Sequence, residues 1–335
     1  MCDVKGLEQH PLVRAVSSAL AAVDWSATSG VVAAVSGGRD SVALAAAMVA
    51  CQARVGLPPL TVAHVHHHRR AEADEEADAV RRLAGHLACN FEIRHIQLGD
   101  AATPAELRDA RYDALVDVAA SARASTVATA HQAEDQLETV LLAMIRGAGP
   151  RGLVGMRPQR PLGSGVQLIR PMLRASREQA TDLCRAAGLP WHDDPTNVDP
   201  DTLRGRLRAD VLPLLEAIRP GVADRLARST SLRAAAADAL AASVMHPVDG
   251  RWDRSELASV GEGLRVASIE AAAMRLTGSA DGLSGETLRR ASAAIADRKR
   301  HRRLFELGAG AMLVVEADAV RIDQATQPIE SRPPM

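Results

Sequence analysis

The segment Ser-Gly-Gly-Arg-Asp-Ser at 36–41 constrains the fold of this chain more than any other feature. It follows the apolar run 31–35 and precedes a second apolar stretch at 42–48. This order predicts a buried strand, a tight glycine turn and the first turn of a helix. Glycine amides can converge on an anion without an intervening Cβ, and a helix N-terminus adds a partial positive charge. The segment therefore predicts a phosphate-binding loop, to which the hydroxyls of Ser36 and Ser41 contribute.

The acidic residue in this loop narrows the choice of ligand. The carboxylate of Asp40 would repel a phosphate unless a divalent cation lay between them, so we expect a nucleotide pyrophosphate together with Mg²⁺. The loop lacks the lysine of G-x-x-x-x-G-K-[ST], and it does not fit G-x-G-x-x-G either. The competing interpretation is a glycine-rich turn before an ordinary helix, with no ligand.

Length and composition indicate a two-domain enzyme. The chain has 335 residues, of which 47% are hydrophobic, so it can form more than one core. No long apolar run predicts a membrane span, and the N-terminus does not resemble a signal peptide. The cysteines are scattered without a C-x-x-C pair, which disfavours a disulfide framework or a zinc site and favours a reducing cytoplasm. They are Cys2, Cys51, Cys89 and Cys184.

Apolar runs alternate with amphipathic stretches through residue 147. This alternation predicts a doubly wound parallel α/β sheet. Ligands of such sheets bind beyond the carboxyl ends of the strands, so loop 36–41 and the segment that begins at His131 should meet there. The predicted strands are 31–35, 60–65, 91–97 and 125–130, and the predicted helices lie near 8–23, 41–54, 71–88, 104–122 and 133–146.

The composition changes beyond this region. A glycine- and proline-rich stretch at 146–165 predicts a mobile loop, and helices are expected at 203–218 and 223–244. Two further helices and a β-hairpin predict a small α+β domain, and the polar end of the chain predicts disorder. The predicted boundaries are 1–216 for a catalytic nucleotide-binding domain, 217–249 for a helical connector, 250–325 for the α+β domain and 326–335 for the tail.

A second cluster of chemically active side chains begins at His131, after the predicted strand 125–130. Asp135 and Glu138 are three residues apart and share a helix face, and Glu134 and Glu138 are four apart. Three acids and a histidine at this position could hold Mg²⁺ and orient a nucleotide. The alternative is ordinary capping, because acidic residues favour helix N-termini without any ligand.

Charge gives a weaker indication of a nucleic-acid partner. The formal net charge is −1, but residues 298–303 form the basic run Arg-Lys-Arg-His-Arg-Arg. This run is either a solvated helix end or a contact with RNA phosphates. Tyr112 is the single tyrosine and aromatic residues make up 2% of the chain, so stacking of bases on an aromatic platform is not expected.

The loop S-G-G-x-D-S resembles the PP-loop of the ATP pyrophosphatase superfamily, whose members cleave ATP between its α and β phosphates. Further blocks in the same order resemble the tRNA(Ile)-lysidine synthetase family. In the family pattern H-H-x-D-D-Q-x-E-T, Gln132 stands here for the second histidine and Glu134 for the first aspartate. The matching blocks are 36–41, 107–112, 131–139, 146–156, 170–177, 194–197 and 204–208.

The largest departure from the family follows the second predicted strand. The pattern D-H-G-L-R is replaced by His-His-His-Arg-Arg at 66–70, of which only His67 and Arg70 fit. Together with His64, these histidines could also form a metal-binding tract. The sequence shows no second ligand cluster beside them, so a metal site is not expected there.

The resemblance implies an adenine nucleotide alpha hydrolase-like fold and a ligase that joins lysine to C2 of the wobble cytidine of the CAU-anticodon isoleucine tRNA. It implies ATP and Mg²⁺ as cofactors, free L-lysine and this tRNA as partners, and an adenylated tRNA intermediate. The implied ATP-binding residues are Ser36, Gly37, Gly38, Arg39, Asp40, Ser41 and His131. The implied catalytic residues are Asp40, Asp135 and Glu138, and the implied metal ligands are Asp40 and Asp135.

Arginines in the matching blocks are candidates for contacts with tRNA. Each of them could equally form a structural salt bridge. The basic run extends this expectation to domain 250–325, which we expect to contact the body of the tRNA. The implied tRNA-binding residues are Arg70, Arg111, Arg146, Arg177, Arg204 and Arg208.

Two other functions remain open. Another PP-loop enzyme, such as a tRNA thiolase, would share the loop but commonly carries paired cysteines, and this chain has no C-x-x-C. A nucleotide-binding regulator would release no pyrophosphate in the presence of tRNA. The sequence also leaves the oligomeric state open, with a homodimer as one option.

Overall fold

Residues 4–26, 28–68, 73–99, 101–192, 202–278, 283–297, 299 and 301–324 are described by a computed structural model. The chain divides into two compact units. Unit 1 comprises Met1–Leu142 and Gly155–Thr230, and unit 2 comprises Ala143–Val154 and Ser231–Met335. The short segment 143–154 therefore belongs with the C-terminal part of the chain, although it lies inside the N-terminal part in sequence.

Six strands of unit 1 form one sheet. They are β1 (Val31–Ala34), β2 (Leu60–His66), β3 (Asn90–His95), β4 (Thr126–Ala128), β5 (Gln159–Gly163) and β6 (Val166–Ile169). The strand order is β3-β2-β1-β4-β6-β5, and β5 is antiparallel to β6 while the other neighbours are parallel. The sheet runs in both directions from β1, which confirms the predicted doubly wound α/β fold and places the switch point between β1 and β4.

Helices connect these strands and cover the sheet. The first five follow the predicted alternation, and the predicted helix at 203–218 is present with a π-helical turn, Leu207–Val211, in its middle. Helix α5 continues past residue 142 into unit 2. The helices are α1 (Pro11–Leu20), α2 (Arg39–Val55), α3 (Ala73–His86), α4 (Pro104–Ser121), α5 (Ala133–Ile145), α6 (Arg177–Ala186), α7 (Leu203–Arg206), α8 (Leu212–Ile218) and α9 (Val222–Arg228).

The core of unit 1 fixes the position of helix α2. Strand β1 is apolar on both faces, as expected for a parallel strand that is covered on both sides, and Val31 and Val32 are fully buried. Alanines at 43 and 45–47 let α2 approach α1 and α6 closely, while Leu44 and Met48 fill the space between them. Truncating such a leucine to alanine typically costs about 2–5 kcal/mol. The N-terminal turn of α2 is therefore held rigidly at the end of β1.

The stretch 146–165 differs from the predicted mobile loop. It contains a 3₁₀ turn, Gly152–Val154, and strand β5, which forms a hairpin with β6. The prediction was wrong for 159–163 because Pro161 and the nearby glycines weaken the strand signal in the sequence. Proline is tolerated here because β5 is an edge strand, and Ser164 closes the hairpin with φ = +48°.

Unit 2 combines helices with a four-stranded antiparallel sheet. Its helices are α10 (Thr230–Ser243), α11 (Arg254–Ser259), α12 (Glu262–Thr277) and α13 (Gly285–Ala296), and its strands are β7 (Arg251–Asp253), β8 (Arg303–Gly308), β9 (Ala311–Val315) and β10 (Ala319–Gln324). The strand order is β7-β10-β9-β8. The predicted hairpin and its closing strand are present, whereas β7 was missed because three residues are too few to show a period. This antiparallel sheet confirms the predicted small α+β part of the fold.

A buried arginine connects helix α13 to the sheet of unit 2. Arg254 is 5% exposed, and its guanidinium donates to the carbonyl oxygens of Ile295 (3.1 Å), Ala294 (2.9 Å), Asp297 (2.6 Å) and Glu316 (2.7 Å). Three of these carbonyls belong to the C-terminal end of α13, where helix carbonyls lack intrahelical partners and favour a positive charge. One side chain thereby caps α13 and ties it to the end of β9.

The basic run and the tail are described only in part. Arg298, Arg300 and the predicted tail at 326–335 lie outside the described residues. Within the run, Arg302 is exposed, and Arg303 pairs through Nη2 with Asp297 Oδ2 at 2.9 Å. None of the helices in the described ranges is long and apolar enough to cross a membrane.

Candidate active site

The glycine loop joins the end of β1 to the start of α2. The amide of Val35 still donates to Ala63 O at 2.8 Å, so the chain leaves the sheet only at Ser36. Gly37 has φ = +94°, a conformation that side chains with a Cβ rarely adopt, although space for a Cβ exists beside it. Gly38 is the N-cap of α2 and provides no side chain to cap the helix. The loop thus presents first-turn amides of α2 without a side-chain acceptor, as an anion site requires.

The two loop serines have different positions. Ser41 is buried; its hydroxyl donates to Gly38 O at 2.8 Å and accepts from the Ser36 amide at 3.1 Å. Ser36 is exposed, and its hydroxyl lies 3.2 Å from that of Ser41. Ser41 therefore shapes the loop from inside, while the Ser36 hydroxyl remains accessible to a ligand.

The loop has a neighbour that sequence reasoning missed. The amide of His192 donates to Gly37 O at 3.0 Å, and His192 forms a parallel bridge with Gly38. The segment that follows, including the motif block 194–197, lies outside the described residues. No local signal marks His192, because it reaches the loop through the chain reversal after α6.

Asp40 already has a cationic neighbour in the loop. Its Oδ1 accepts from Arg39 Nε at 2.9 Å, and both side chains are partly exposed. Its Oδ2 has no hydrogen-bond donor among the described residues. The charge that was expected to need a divalent cation is therefore partly balanced by Arg39, and one oxygen remains accessible.

His131 lies at the end of β4 beside the start of α5. Its Nδ1 is 3.0 Å from the hydroxyl of Thr129. Burial lowers the pKa of His131 to about 4; the carboxylate of Asp135 opposes this shift, while Arg170 and Arg108 add to it. The imidazole is therefore neutral near pH 7 and can take part in hydrogen bonds without carrying charge.

Two acids on α5 are bound by two arginines from α7 and the π-helical turn. Glu138 is 1% exposed, and its carboxylate accepts from the Nε atoms of both Arg204 and Arg208. Asp135 accepts from the Gln132 amide at 2.9 Å and from Arg208 Nη2 at 2.9 Å. Arg208 thus bridges the two acids. We call Asp135, Glu138, Arg204 and Arg208 the acid–arginine cluster.

This pairing limits what the two acids can do as placed. Both oxygens of Glu138 face guanidinium groups, and both oxygens of Asp135 accept hydrogen bonds. A proton or a metal ion would therefore have to compete with the arginines for these carboxylates. The predicted catalytic and metal-binding roles of these acids stay predictions.

The third acid of the motif is placed differently. Burial raises the pKa of Glu134, and its Oε1 accepts from the amide of Arg177 at 2.9 Å. The side chain of Arg177 lies 4.0 Å from Asp135 Oδ1 through its Nη2. Glu134 therefore caps the start of α6, and it connects α5 to α6.

Buried polar atoms without a partner concentrate at this end of the sheet. Native structures leave few such atoms, so a local concentration indicates a place where a ligand completes the hydrogen bonds. Most of those found among the described residues lie at the end of β2 or in the segments that follow β4 and β6. They are His66 Nε2, both amide atoms of Gln132, Glu134 Oε2, Arg170 Nε and Arg177 Nε.

The sequence of this chain matches a known domain family and several known proteins. The PP-loop domain family matches residues 11–215. The tRNA(Ile)-lysidine synthase of Salinispora arenicola is 44% identical over 226 residues, which cover 66% of this chain and 67% of that protein. The enzyme of the same name from Methylobacterium sp. strain 4-46 is 41% identical over 265 residues, covering 73% and 74%. The chain belongs to the tRNA(Ile)-lysidine synthase family. It is therefore an enzyme of the ligase type, and the PP-loop domain implies that it uses ATP.

A solved structure supports the fold alone. A U34-tRNA thiolase from Methanococcus maripaludis, with its [4Fe-4S] cluster, superposes with a TM-score of 0.55 at 18% identity, covering 68% of this chain and 78% of that one.

The sequence relatives and the PP-loop domain match together confirm the predicted family, fold class and enzyme class.

One motif of the synthase family has a structural explanation. Gln136 is fully buried, donates to Met156 O at 3.1 Å and accepts from the Met156 amide at 2.7 Å. Gly155 has φ = +78°, and a Cβ on it would lie 2.8 Å from Gln136 Nε2. The glycine and the glutamine therefore hold two of the matching sequence blocks together.

The remaining arginines predicted from the synthase resemblance lie in different places. Arg111 is exposed on α4, and Arg146 is exposed in unit 2 just after α5. Arg70 lies outside the described residues. Sequence reasoning missed Arg108 and Arg160, whose guanidinium carbons lie 5.6 Å and 4.9 Å from the centre of the Tyr112 ring.

Tyr112 and its arginines form a cationic patch in unit 1. Burial would raise the pKa of Tyr112, but the positive charges of Arg108 and Arg170 outweigh it and lower that pKa. Arg170 is 4% exposed and donates to Arg157 O at 2.7 Å. Guanidinium groups therefore lie against the aromatic ring.

Proposed function

We propose that this enzyme joins lysine to C2 of the wobble cytidine of the CAU-anticodon isoleucine tRNA, in two steps that use ATP. The observation that carries the proposal is the uncapped glycine loop at the switch point of the sheet, in a chain whose relatives are named tRNA(Ile)-lysidine synthase. The loop accounts for the use of ATP, and the relatives account for the choice of RNA.

The first step would adenylate the tRNA. The C2 carbonyl oxygen of cytidine attacks the α-phosphorus of ATP, the bond to the bridging oxygen breaks, and pyrophosphate leaves. Negative charge builds up on the leaving group, so fixed amide dipoles accelerate the step. The first-turn amides of α2 and the exposed hydroxyl of Ser36 are suited to this task.

The second step would transfer lysine. Its ε-amine attacks the activated C2, and AMP leaves with the former carbonyl oxygen. Lysine arrives as an ammonium ion, so a base must remove a proton before or during attack. Asp135 and Glu138 are the candidates, and either one becomes available only when Arg204 or Arg208 releases it.

Mg²⁺ fits one of its two predicted ligands better than the other. The accessible Oδ2 of Asp40 suits a hard cation that prefers oxygen. Asp135 would first have to exchange its bond with Arg208 for a bond with the metal. When bound, Mg²⁺ would neutralise phosphate charge, and Arg39 would add a fixed positive charge beside it.

We assign tRNA contacts to arginines from both units. Arg204 and Arg208 are only partly buried, so phosphates could compete with Glu138 for their guanidinium groups. Arg111 and Arg146 are exposed, and Arg177 is partly exposed. Contact of domain 250–325 with the tRNA body, a cytoplasmic location and a homodimer are further parts of the proposal.

The thiolase alternative finds little support in the cysteines. Burial raises the pKa of Cys51 and Cys89 to about 11 and that of Cys184 to about 12, so these thiols stay protonated and unreactive. Among the described residues, no group that could hold a metal includes a cysteine.

One assay tests the proposal. The full chain is incubated with ATP, labelled lysine and the CAU-anticodon isoleucine tRNA, and label is counted in RNA; the matched control is the same tRNA with uridine in place of the wobble cytidine. We expect label in the first RNA only, with one AMP and one pyrophosphate per lysine. Sulfur incorporation would support the thiolase, and absence of pyrophosphate would support a regulator; either result overturns the proposal.

A further inference from the structure

The histidines after β2 meet a partner that the sequence did not reveal. Strands β2 and β3 are paired in parallel, with His66 directly opposite His95. His68 follows two residues later with φ = +53°, which turns the chain back toward this pair. The centre of the His66 ring lies 4.1 Å from the centre of the His68 ring and 5.1 Å from that of the His95 ring. The centres of the His68 and His95 rings are 4.9 Å apart.

The ring nitrogens of these residues converge. One nitrogen from each of His66, His68 and His95 lies within 4.8 Å of the others. His95 Nδ1 and His68 Nε2 are only 2.8 Å apart. Two nitrogen lone pairs at this distance repel each other, so either a proton or a metal ion must lie between them.

A carboxylate completes the group. Asp74, in the first turn of α3, places Oδ1 3.1 Å from His66 Nε2. The side chain of His66 is 2% exposed, and its Nε2 makes no well-aligned hydrogen bond among the described residues, although Asp74 Oδ1 lies within 3.1 Å of it. Asp74 is 90% exposed, so its carboxylate can adjust to a fourth ligand position without moving the core.

We propose that His66, His68, His95 and Asp74 bind a divalent transition-metal ion, for which Zn²⁺ is the best match. Three imidazoles and one carboxylate suit the tetrahedral preference of Zn²⁺ and are less suited to Mg²⁺ or Ca²⁺. The site is independent of the proposed ligase function. It is a property of this chain, because His66 and His68 stand where the family pattern has aspartate and glycine.

Binding would rearrange three contacts among the four side chains and their backbone. The contact between His68 Nε2 and His95 Nδ1 would be replaced by two bonds to the metal. If His66 binds through Nε2, its Nδ1 must carry the proton, and the long 3.3 Å contact from the His68 amide is lost. The 3.1 Å contact between His66 Nε2 and Asp74 Oδ1 would also give way, so four bonds to the metal would replace three contacts within the protein.

The site would join three elements at the ligand-binding end of the sheet. It links the ends of β2 and β3 to the start of α3. On β2, His64 Nδ1 lies 2.9 Å from Val35 O, just before the glycine loop. A metal here would therefore stabilise the strand that supports the loop, by the amount that binding contributes to the folded state.

The experiment uses the full chain freed of metal by a chelator. Co²⁺ is added as a spectroscopic probe, and Zn²⁺ affinity is then measured by competition with a chromophoric chelator. We expect one ion per chain, visible absorption bands of tetrahedral Co²⁺, and a melting temperature that rises with Zn²⁺. H68Q and H95Q, both at exposed positions, should each weaken Zn²⁺ binding at least tenfold, and D74N should weaken it less.

His86 supplies the matched control. It lies at the end of α3 and bonds only to the Arg82 carbonyl, so H86Q should bind Zn²⁺ as the parent does. Circular dichroism of H68Q and H95Q checks that both remain folded. Equal Zn²⁺ affinity in the parent, H68Q and H95Q, or no stoichiometric binding at micromolar Zn²⁺, overturns the proposal.

Discussion

The glycine loop and the acid–arginine cluster recognise charge by opposite means. The loop offers backbone amides at the start of α2, where no side chain caps the helix. The cluster uses side chains, and its two acids and two arginines neutralise one another. The loop is therefore ready for an anion, whereas the cluster must exchange partners before it can act on a substrate. If the chain acts as we propose, ATP can bind to the loop as it stands, and RNA must supply new partners for the arginines of the cluster.

The largest effect is expected from Asp40. D40A should lower tRNA adenylation at least 100-fold, because removing one group that positions or neutralises transferring phosphates typically costs that much. The fold should persist, since Asp40 is a partly exposed loop residue. AMP formation in the presence of tRNA is the measurement, with D117A, at an exposed position on α4, as control. Normal AMP formation by D40A would show that Asp40 is not needed for adenylation.

Glu138 tests whether the cluster is a structural unit. E138Q leaves Arg204 and Arg208 facing a neutral amide; because both arginines are partly exposed, the loss should lie below the roughly 3–5 kcal/mol of a fully buried pair. Urea denaturation should show this loss of unfolding free energy. The exposed Arg204 should matter less than the bridging Arg208, so R204Q should be milder than R208Q. Equal stability of E138Q and the parent would mean that the pairing contributes nothing to the fold.

His131 should give the cluster region a pH dependence. Its folded pKa lies below that of an unfolded histidine, so the unfolded chain binds the extra proton between about pH 6.5 and 4. Unfolding free energy is then highest above pH 6.5 and falls as the pH drops through this window, by up to about 3 kcal/mol for a pKa difference of this size. H131Q should flatten that slope. An NMR titration in which His131 gains its proton near pH 6.5 would contradict the expectation.

The smallest effect concerns the basic run of unit 2. Replacing Arg298, Arg300, Arg302 and Arg303 with serine should weaken tRNA binding several-fold and reduce its salt dependence, because phosphate contacts release counterions. Turnover at saturating tRNA should be largely kept. The measurement is tRNA affinity at several salt concentrations. If the dependence of affinity on salt is the same in the variant and the parent, the basic run does not contact tRNA and is a solvated segment.

The sequence predicts those parts of the fold that depend on residues close together in the chain. The loop, the first four strands and the alternating helices follow from apolar runs and glycines that lie within a few residues of each other. The pairing of Glu138 with Arg204 could not be predicted, since 66 residues separate them and the arginine block was equally compatible with RNA contacts. His95 was missed for the same reason: only the register of β2 against β3 brings it to His66.

The capping of α13 by Arg254 has a consequence for how the two units respond to acid. A guanidinium keeps its charge at every pH a protein normally meets, and carbonyl oxygens do not titrate in that range. The bonds of Arg254 are thus unaffected by acid. The acid–arginine cluster of unit 1 depends on carboxylates that acid neutralises. On acidification we therefore expect the cap on α13 to persist at a pH at which the acid–arginine cluster has lost its pairing.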